Sequence, residues 1–381
     1  MNSMNVLISV LVLLSVLLTP VAGCSDFLLK TDNPEVVLSG RTIDWFEKEG
    51  VKGSFMVEVR NQQWESISSI NPVKPGLSWK NRYGFVGVES SFPQVSGFPE
   101  FKMPQYVETL NEEGLSAAFL TLVESEYPAT TNWSEKSLLY IDLVSYLAGT
   151  FRTVHEVKQG LQEVEIWCPP ELSGKDPLHL IVHDADGKTL IAEWVKNETG
   201  DIVMNIYDGP DVDNRGGVLT NDPSYPNQVS NLASYDNETP QNLFSGLPGG
   251  PAPADRFVRL TKLNQFNLPI KSGTDTIHNY VMQAFHLLNS VDVVTGEDPA
   301  VIRENGAETN EIFFHEVQLF TQFSLVRDHK NRIYYVKTYT NQNIGKIDLK
   351  KLDFISGSYQ KISDESPYPE EPYDFTRSFT R

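Results

Sequence analysis

The chain of 381 residues carries 50 acidic against 31 basic side chains, a net charge of −19, and its 40% hydrophobic content supplies ample material for a core. The acidic balance, with no basic run to act as a local footprint, excludes nucleic acid and anionic lipid surfaces as partners. It also repels anionic substrates unless an arginine cluster reverses the field locally, and the length allows one large domain or two small ones.

The chain opens on an apolar run, Val6 to Leu18, followed by Thr19-Pro20-Val21-Ala22-Gly23. The run is too short to span a bilayer and ends in small residues, which predicts a secretory signal over residues 1–23 and no transmembrane segment in the chain that remains. Removal of that leader starts the chain at Cys24, so that one residue bears both a thiol and a free α-amine, a nucleophile and a weak base. Val21-Ala22-Gly23-Cys24 also fits a bacterial lipobox, in which the cysteine is lipidated and its amine acylated. Export, secreted or periplasmic, is therefore the expectation, with lipid anchoring through Cys24 as the alternative. The other cysteine, Cys168 in Ile166-Trp167-Cys168-Pro169-Pro170, reads as a buried bystander, with a Cys24–Cys168 disulfide as the competing assignment.

Ser25 to Lys30, the turn Asp32-Asn33-Pro34-Glu35 and Val36 to Trp45 read as a hairpin. Pairing about that turn sets Cys24 opposite the segment Arg41 to Asp44. On a flat strand the two charged residues point to opposite faces. Short β-rich runs follow, such as Phe55 to Val59 and Tyr83 to Val88, then a Ser-, Phe-, Pro- and Gly-rich loop from Ser90 to Met103 whose Phe92, Phe98 and Phe101 are suited to walling a pocket. Asn111-Glu112-Glu113-Gly114-Leu115 is a turn leading into a small-residue strand, Ser116 to Leu122.

Ser134 with Glu135 predicts the cap of an amphipathic helix through Leu138, Leu143 and Leu147, closed by Gly149. Thr153 and Glu156 form a capping box for a second helix. Leu178 to Trp194 is a hairpin about Asp184-Ala185-Asp186-Gly187; that loop fails as a calcium site because Lys188 takes the fifth ligand position. Leu219-Thr220-Asn221-Asp222-Pro223 is turn chemistry. Gly246 to Ala254 leads into a helix capped by Asp255, and Asp275 to Leu288 is another amphipathic helix. Thr321 to Ser324 and Arg332 to Tyr339 are late strands, and residues 363–381 read as a mobile tail. The seven histidines show no metal-ligand spacing and no phosphate-binding glycine loop is present, so no cofactor is expected.

Cys24, Arg41-Thr42-Ile43-Asp44-Trp45, the Asn111 to Leu115 turn, Leu219 to Pro223 and Leu247-Pro248-Gly249 running into Arg256-Phe257 occur in an order and spacing that resembles the choloylglycine hydrolase family, which includes penicillin V acylases and bile salt hydrolases. The resemblance runs from Cys24 to about Leu349. It implies an α+β fold, a four-layer αββα N-terminal-nucleophile hydrolase sandwich with two antiparallel sheets, as one domain over residues 24–381. It implies a linear amide C–N hydrolase acting on an N-acylated small molecule, and a homo-oligomer, tetrameric as in the family. Carried over residue by residue, Cys24 is the nucleophile with its own amine as base. Arg41 favours the thiolate, Asp44 orients the amine, Asn221 with Thr121 binds the oxyanion, and Arg256 balances Asp44.

Two positions depart from the family pattern. Thr121 stands where bile salt hydrolases carry an oxyanion-hole Asn, and Asp255 replaces a Ser. The first departure, with the three phenylalanines, predicts phenoxyacetyl or fatty acyl amides such as penicillin V and N-acyl homoserine lactones in preference to bile conjugates. The alternative from another class is a lipidated or inactive member that binds an acyl ligand without cleaving it.

Overall fold

A computed structural model describes residues 23–46, 50–70, 72–91, 104–129, 134–170, 177–235, 245–267, 277–296, 299–305, 312–355 and 360–362. The leader, the loop bearing Phe92, Phe98 and Phe101, and the tail after 362 lie outside the described residues. In chain order the strands of the first half are β1 (Cys24–Leu28), β2 (Leu38–Phe46), β3 (Gly50–Glu58), β4 (Gln63–Ile70), β5 (Val73–Lys80), β6 (Phe85–Ser91), β7 (Tyr106–Asn111), β8 (Ser116–Thr121) and β9 (Ser137–Leu139). Helices α1 (Leu143–Thr150) and α2 (Val154–Glu163) follow, then β10 (Glu165–Trp167), β11 (Leu178–His183), β12 (Thr189–Lys196) and β13 (Ile202–Asp208). The second half holds α3 (Pro210–Asn214), α4 (Tyr225–Ala233), α5 (Pro253–Gln265), α6 (Ile277–Asn289), β14 (Pro299–Asn305), β15 (Ile312–Asp328), β16 (Ile333–Thr338), β17 (Gly345–Asp348) and β18 (Gln360–Ile362).

Two antiparallel sheets form the centre. One has the order β1-β2-β15-β16-β17 with β14 paired to β15, and the other has the order β13-β12-β11-β8-β7-β6-β3-β18. Strand composition explains why the sheets stack. β8 and β11 are buried along their whole length, as expected when both faces are covered, and the period of two sorts their side chains into separate layers. Ala117, Phe119, Leu180, Val182, Leu190 and Ala192 pack with Leu143, Val144, Leu147, Val157 and Leu161 of α1 and α2. Their alternates Ala118, Leu120, Ile181 and Ile191 belong to a second cluster with Cys24, Leu219 and apolar residues of α5 and α6. Ile43, Leu325 and Tyr334 of one sheet meet Val57, Val86, Val88 and Leu110 of the other in a third. The result is the four-layer αββα sandwich of the α+β class.

The first hairpin forms as read, with Cys24 paired to Ile43 and Asp26 to Arg41. The Asp184 to Gly187 turn joins β11 to β12, and Gly114 takes φ +88° in the turn before β8. Thr153 Oγ1 accepts the Glu156 N–H at 3.2 Å, and the Glu156 carboxylate returns to the Arg152 N–H at 2.9 Å.

Three expectations are corrected. The segment predicted as one helix from Ser134 divides: Ser137–Leu139 is a strand paired in parallel to β10, and α1 begins only at Leu143. A buried apolar run fits either state, and here the neighbours decide, because β10 offers its backbone and Ser66 Oγ accepts the Leu139 N–H at 2.9 Å. Ser134 Oγ accepts from Lys136 N in a local turn instead of capping a helix. Gly149 lies inside the last turn of α1, where a Cβ would sit 2.2 Å from Asn81 Oδ1. Close approach, not helix termination, explains that glycine. Finally, the N-cap of α5 is Ala252 with Pro253 after it, and Asp255 lies in the first turn, where its charge suits the helix dipole.

Glu58 of β3 sits among apolar groups and accepts a hydrogen bond from Tyr106 Oη at 2.5 Å. Burial pushes its carboxyl up to about 7. Because the folded value lies above the unfolded one, the stability linked to this proton is present at low pH and is lost as pH rises towards 7. Glu58→Gln keeps the acceptor and removes the titration. It is expected to gain about 2 kcal/mol on the parent between pH 5 and pH 8. Urea unfolding at the two pH values measures this, and an identical difference at both would refute it.

Candidate active site

The site is assembled at the edge of the first sheet, where β1 is flanked on one side by β2 and on the other by the segment 216–219. That segment bonds to it through Asp26 N to Leu219 O (2.8 Å), Leu219 N to Asp26 O (2.9 Å) and Leu28 N to Gly216 O (2.8 Å). This pairing carries Asn221, two residues further on, to the head of β1. The Cys24 nitrogen, here a peptide N–H, donates to Asn221 Oδ1 at 2.6 Å.

Arg256, on the second turn of α5, closes the arrangement. Its Nη1 donates to Cys24 O at 2.8 Å and Ser25 Oγ at 2.6 Å, its Nη2 to Asn221 Oδ1 at 2.9 Å, and its Nε to Pro251 O at 2.8 Å. Two donors on the same oxygen fix which way the Asn221 amide points. Its Nδ2 then donates one hydrogen to Thr121 O at 2.9 Å and, among the described residues, has a second hydrogen left for another acceptor.

The alternation of β2 separates the two charged residues as expected. Asp44 faces α5: Thr321 Oγ1 donates to its Oδ1 at 2.6 Å, and Arg256 Nη1 lies 3.9 Å from its Oδ2. A Cβ on Gly23 would stand 3.0 Å from both Asp44 Oδ2 and Arg256 Nη2, so the residue before Cys24 rests against that pair. Burial pushes the Asp44 carboxyl up to about 7, opposed by Arg256 and by the Thr321 hydroxyl. Arg41 faces the other sheet, with Nη1 on Glu108 Oε2 at 3.1 Å and on Val107 O at 3.2 Å, and Nη2 on Phe119 O.

Cys24 is only 3% exposed, and burial pushes its thiol above the usual range despite the Arg41 guanidinium, which pulls it down. Arg41 thus pulls towards the thiolate as expected, but burial outweighs it in this state, for two reasons. Little water reaches the sulfur, and Arg41 already spends its charge on Glu108. Glu108 in turn takes Arg327 Nη1 at 3.4 Å, and Arg327 Nη2 holds Asp26 Oδ2 at 2.5 Å.

Cys24, Asp44, Asn221 and Arg256 therefore converge, and Arg41 approaches from the opposite face of β2. Thr121 joins only through its backbone carbonyl. Its hydroxyl has no hydrogen-bond partner among the described residues and, by alternation along β8, shares the side of Phe119, away from Ala118 and Leu120. Cys168 is a buried thiol on the α1 side of the second sheet, in a different core cluster from Cys24, and no disulfide joins them. Ser25, Thr321, Glu108 and Arg327 were missed by the sequence reading. Thr321 announces itself only once β15 is known to pair with Asp44. Among the described residues no cluster of three or more His, Cys, Asp or Glu is disposed to hold a metal, and no helix is long and apolar enough to cross a membrane.

This architecture is that of the N-terminal-nucleophile hydrolases. The model of the linear amide C–N hydrolases, choloylglycine hydrolase family, matches residues 24–364, and the chain belongs to that family. A bile salt hydrolase/transferase from Lactiplantibacillus plantarum is 30% identical over 269 residues, covering 65% of this chain and 74% of that protein. A penicillin V acylase from Pectobacterium atrosepticum is 26% identical over 360 residues, covering 89% and 85%. Among solved structures, a penicillin V acylase from Agrobacterium tumefaciens superposes with a TM-score of 0.65 at 24% identity, over 89% of this chain and 91% of that one. A mutant conjugated bile acid hydrolase from Clostridium perfringens gives 0.65 at 23%, over 91% and 97%.

Arg256→Met leaves Asp44 without its opposite charge and Ser25 Oγ and Asn221 Oδ1 short of a donor in a dry site. The expected cost is about 3–5 kcal/mol at pH 8. At pH 5 Asp44 is protonated with or without Arg256, so the ion-pair part of that cost disappears and the penalty shrinks. Denaturant unfolding at both pH values checks the sign; a larger penalty at pH 5 would contradict it.

Proposed function

We propose that this member of the family is an exported cysteine amidase in which Cys24, freed from Gly23, is the nucleophile and its own α-amine the base. The observation that carries the reading is the Cys24 nitrogen held by Asn221 Oδ1, while the same asparagine keeps a free N–H on the Nδ2 side. An α-amine in that position donates one hydrogen to Asn221 Oδ1 and turns its lone pair towards the thiol. Its reference pKa of about 7.7–8.0 lets it accept and return a proton near neutrality.

In the first half-reaction the amine takes the thiol proton, Sγ bonds to the amide carbon, and the carbonyl oxygen becomes an oxyanion that accepts the second Asn221 Nδ2 hydrogen. Collapse breaks the C–N bond. The leaving amine takes the proton from the α-ammonium, and a thioester remains on Cys24. Water, deprotonated by the same α-amine, then attacks the thioester, releasing the acid and restoring the thiol. Asp44 orients the α-amine, and its own charge is balanced by Arg256. Each oxyanion donor is worth about 3–4 kcal/mol in comparable enzymes. Thr121 contributes its carbonyl, by holding Asn221, and not its hydroxyl.

The enzyme reading is favoured over a lipid anchor by the same geometry. A thiol turned into a core cluster is poorly placed to hold a lipid chain out towards a membrane, and an acylated amine loses its lone pair. For the substrate, the sequence match to a penicillin V acylase covers 89% of this chain against 65% for the bile salt hydrolase/transferase, which supports phenoxyacetyl or fatty acyl amides over steroid conjugates. Comparing kcat/KM for penicillin V, a long-chain N-acyl homoserine lactone and glycocholate on one preparation tests this, and glycocholate as the best of the three would overturn it.

Cys24→Ala should fold and release no amine from any of these substrates, whereas Cys168→Ala keeps most activity. Protein retaining Gly23 should be inactive until trimmed, because a peptide nitrogen cannot accept the proton. N-terminal sequencing and intact mass alongside the assay decide it: equal rates for trimmed and untrimmed protein would rule the mechanism out, and a lipid adduct on Cys24 would favour the anchor.

A further inference from the structure

Two buried ionisable residues outside the catalytic set meet directly behind Asn221. His179 of β11 and Glu193 of β12 are both fully buried. They lie one pair beyond the Leu180–Ala192 match, in phase with the inward-facing Ile181 and Ile191. His179 Nε2 is 2.8 Å from Thr220 O, and its Nδ1 is 3.0 Å from Glu193 Oε1. The same Glu193 oxygen accepts the backbone N–H of Tyr225, the first residue of α4, at 2.8 Å. Glu193 Oε2 has no hydrogen-bond partner among the described residues, so both demands fall on Oε1.

The hydrogens follow from the partners. A peptide carbonyl only accepts, so Nε2 carries a hydrogen. Nδ1 faces a carboxylate oxygen, and a neutral ring with its lone pair there would repel it. One proton is therefore shared along the Nδ1–Oε1 line, and the pair as a whole is neutral. With that proton in place the ring is locked, and it clamps the carbonyl of the residue that precedes Asn221. Gln228 completes the clamp, donating Nε2 to Asn221 O and Pro223 O, both at 2.6 Å.

We infer that His179 and Glu193 are positioning residues for the Asn221 side chain, acting through the Thr220 peptide to hold the Nδ2 hydrogen where the transition-state oxygen develops. The inference rests on the oxyanion role proposed above for Asn221. Its chemistry predicts an asymmetric response to isosteres. In His179→Gln the amide nitrogen overlays Nε2 and keeps the donor to Thr220 O. In His179→Asn the amide overlays Nδ1 and loses it. In Glu193→Gln one atom cannot accept from both His179 and Tyr225 without leaving a bare imidazolium, and an NH2 turned inward meets the Tyr225 N–H head on.

The test uses the trimmed full-length protein and penicillin V, or whichever amide of the substrate panel turns over fastest. His179→Asn and Glu193→Gln are expected to lower kcat about ten- to a hundredfold, with KM changed less than about threefold and the rate of Cys24 alkylation by iodoacetamide unaltered, since alkylation develops no oxyanion. His179→Gln should retain clearly more kcat than His179→Asn. In the Asn221→Ala background His179→Asn should add nothing further. If His179→Asn fails to fold, the near-isosteric Glu193→Gln carries the same comparison. Full kcat in Glu193→Gln and His179→Asn, or losses that multiply with that of Asn221→Ala, would overturn the inference while leaving the oxyanion assignment standing. Full activity of Asn221→Ala itself would instead remove that assignment, and the inference with it.

Discussion

The Arg256 guanidinium is the interaction on which the site's geometry depends. It is fully buried, and its fork reaches three separate parts of the chain: the carbonyl and hydroxyl at the head of β1, the Asn221 amide, and the Pro251 carbonyl that leads into α5. A lysine has the charge but not the planar spread of donors needed to bind these acceptors together. A cation near a helix N-terminus is unfavourable by itself, and here Asp44 and the four acceptors offset that cost. The price in desolvation is justified by rigidity, because the same residue sets where Cys24 begins and which way Asn221 points.

The opposite face of β2 obeys a similar rule of compensation. Arg41 and Arg327 are buried with Glu108 and Asp26 in an alternating chain of two cations and two anions, joined by Tyr334 Oη on Glu108 at 3.2 Å and His183 on Asp26 at 3.1 Å. Charges in so dry a place are tolerable only when each has an opposite partner. Because the chain is neutral overall, the thiol feels a muted field from Arg41, and burial governs its ionisation. A nearby base is then a more effective activator than a lowered thiol pKa. The geometry around the Cys24 nitrogen suits that route.

Much of this was legible in the sequence, and the reasons are local. Asn-Pro and Asp-Gly turns with alternating flanks encode hairpins, so the Cys24 to Trp45 hairpin and the Asp184 to Gly187 turn were readable from the residues alone. Thr153 and Glu156 likewise carry their cap in four positions. What could not be read was whatever a distant segment decides. Ser137 to Leu139 is extended because β10 and Ser66 lie beside it, Gly149 is small because Asn81 presses on it, and Thr121 turns its hydroxyl away because of its phase in β8. His179 and Glu193 were visible only as polar residues in apolar strands. Their phase with Ile181 and Ile191 was the available signal, since a polar side chain on a doubly covered strand must find a partner inside.

The sorting of side chains in β8 and β11 also bears on how such a protein changes over evolutionary time. Ala117, Phe119, Leu180 and Val182 touch α1 and α2, whereas Ala118, Leu120, Ile181 and His179 look towards Cys24 and Asn221. Substitutions in groups that share no partner tend to combine additively. The outer half of the molecule can therefore drift, trading one apolar side chain for another of like volume, without renegotiating the layer around Cys24. On the inner face a single exchange confronts a charge network and a hydrogen-bonded clamp together. Divergence should accordingly accumulate on one side of the very strands whose other side stays constant, residue by alternate residue.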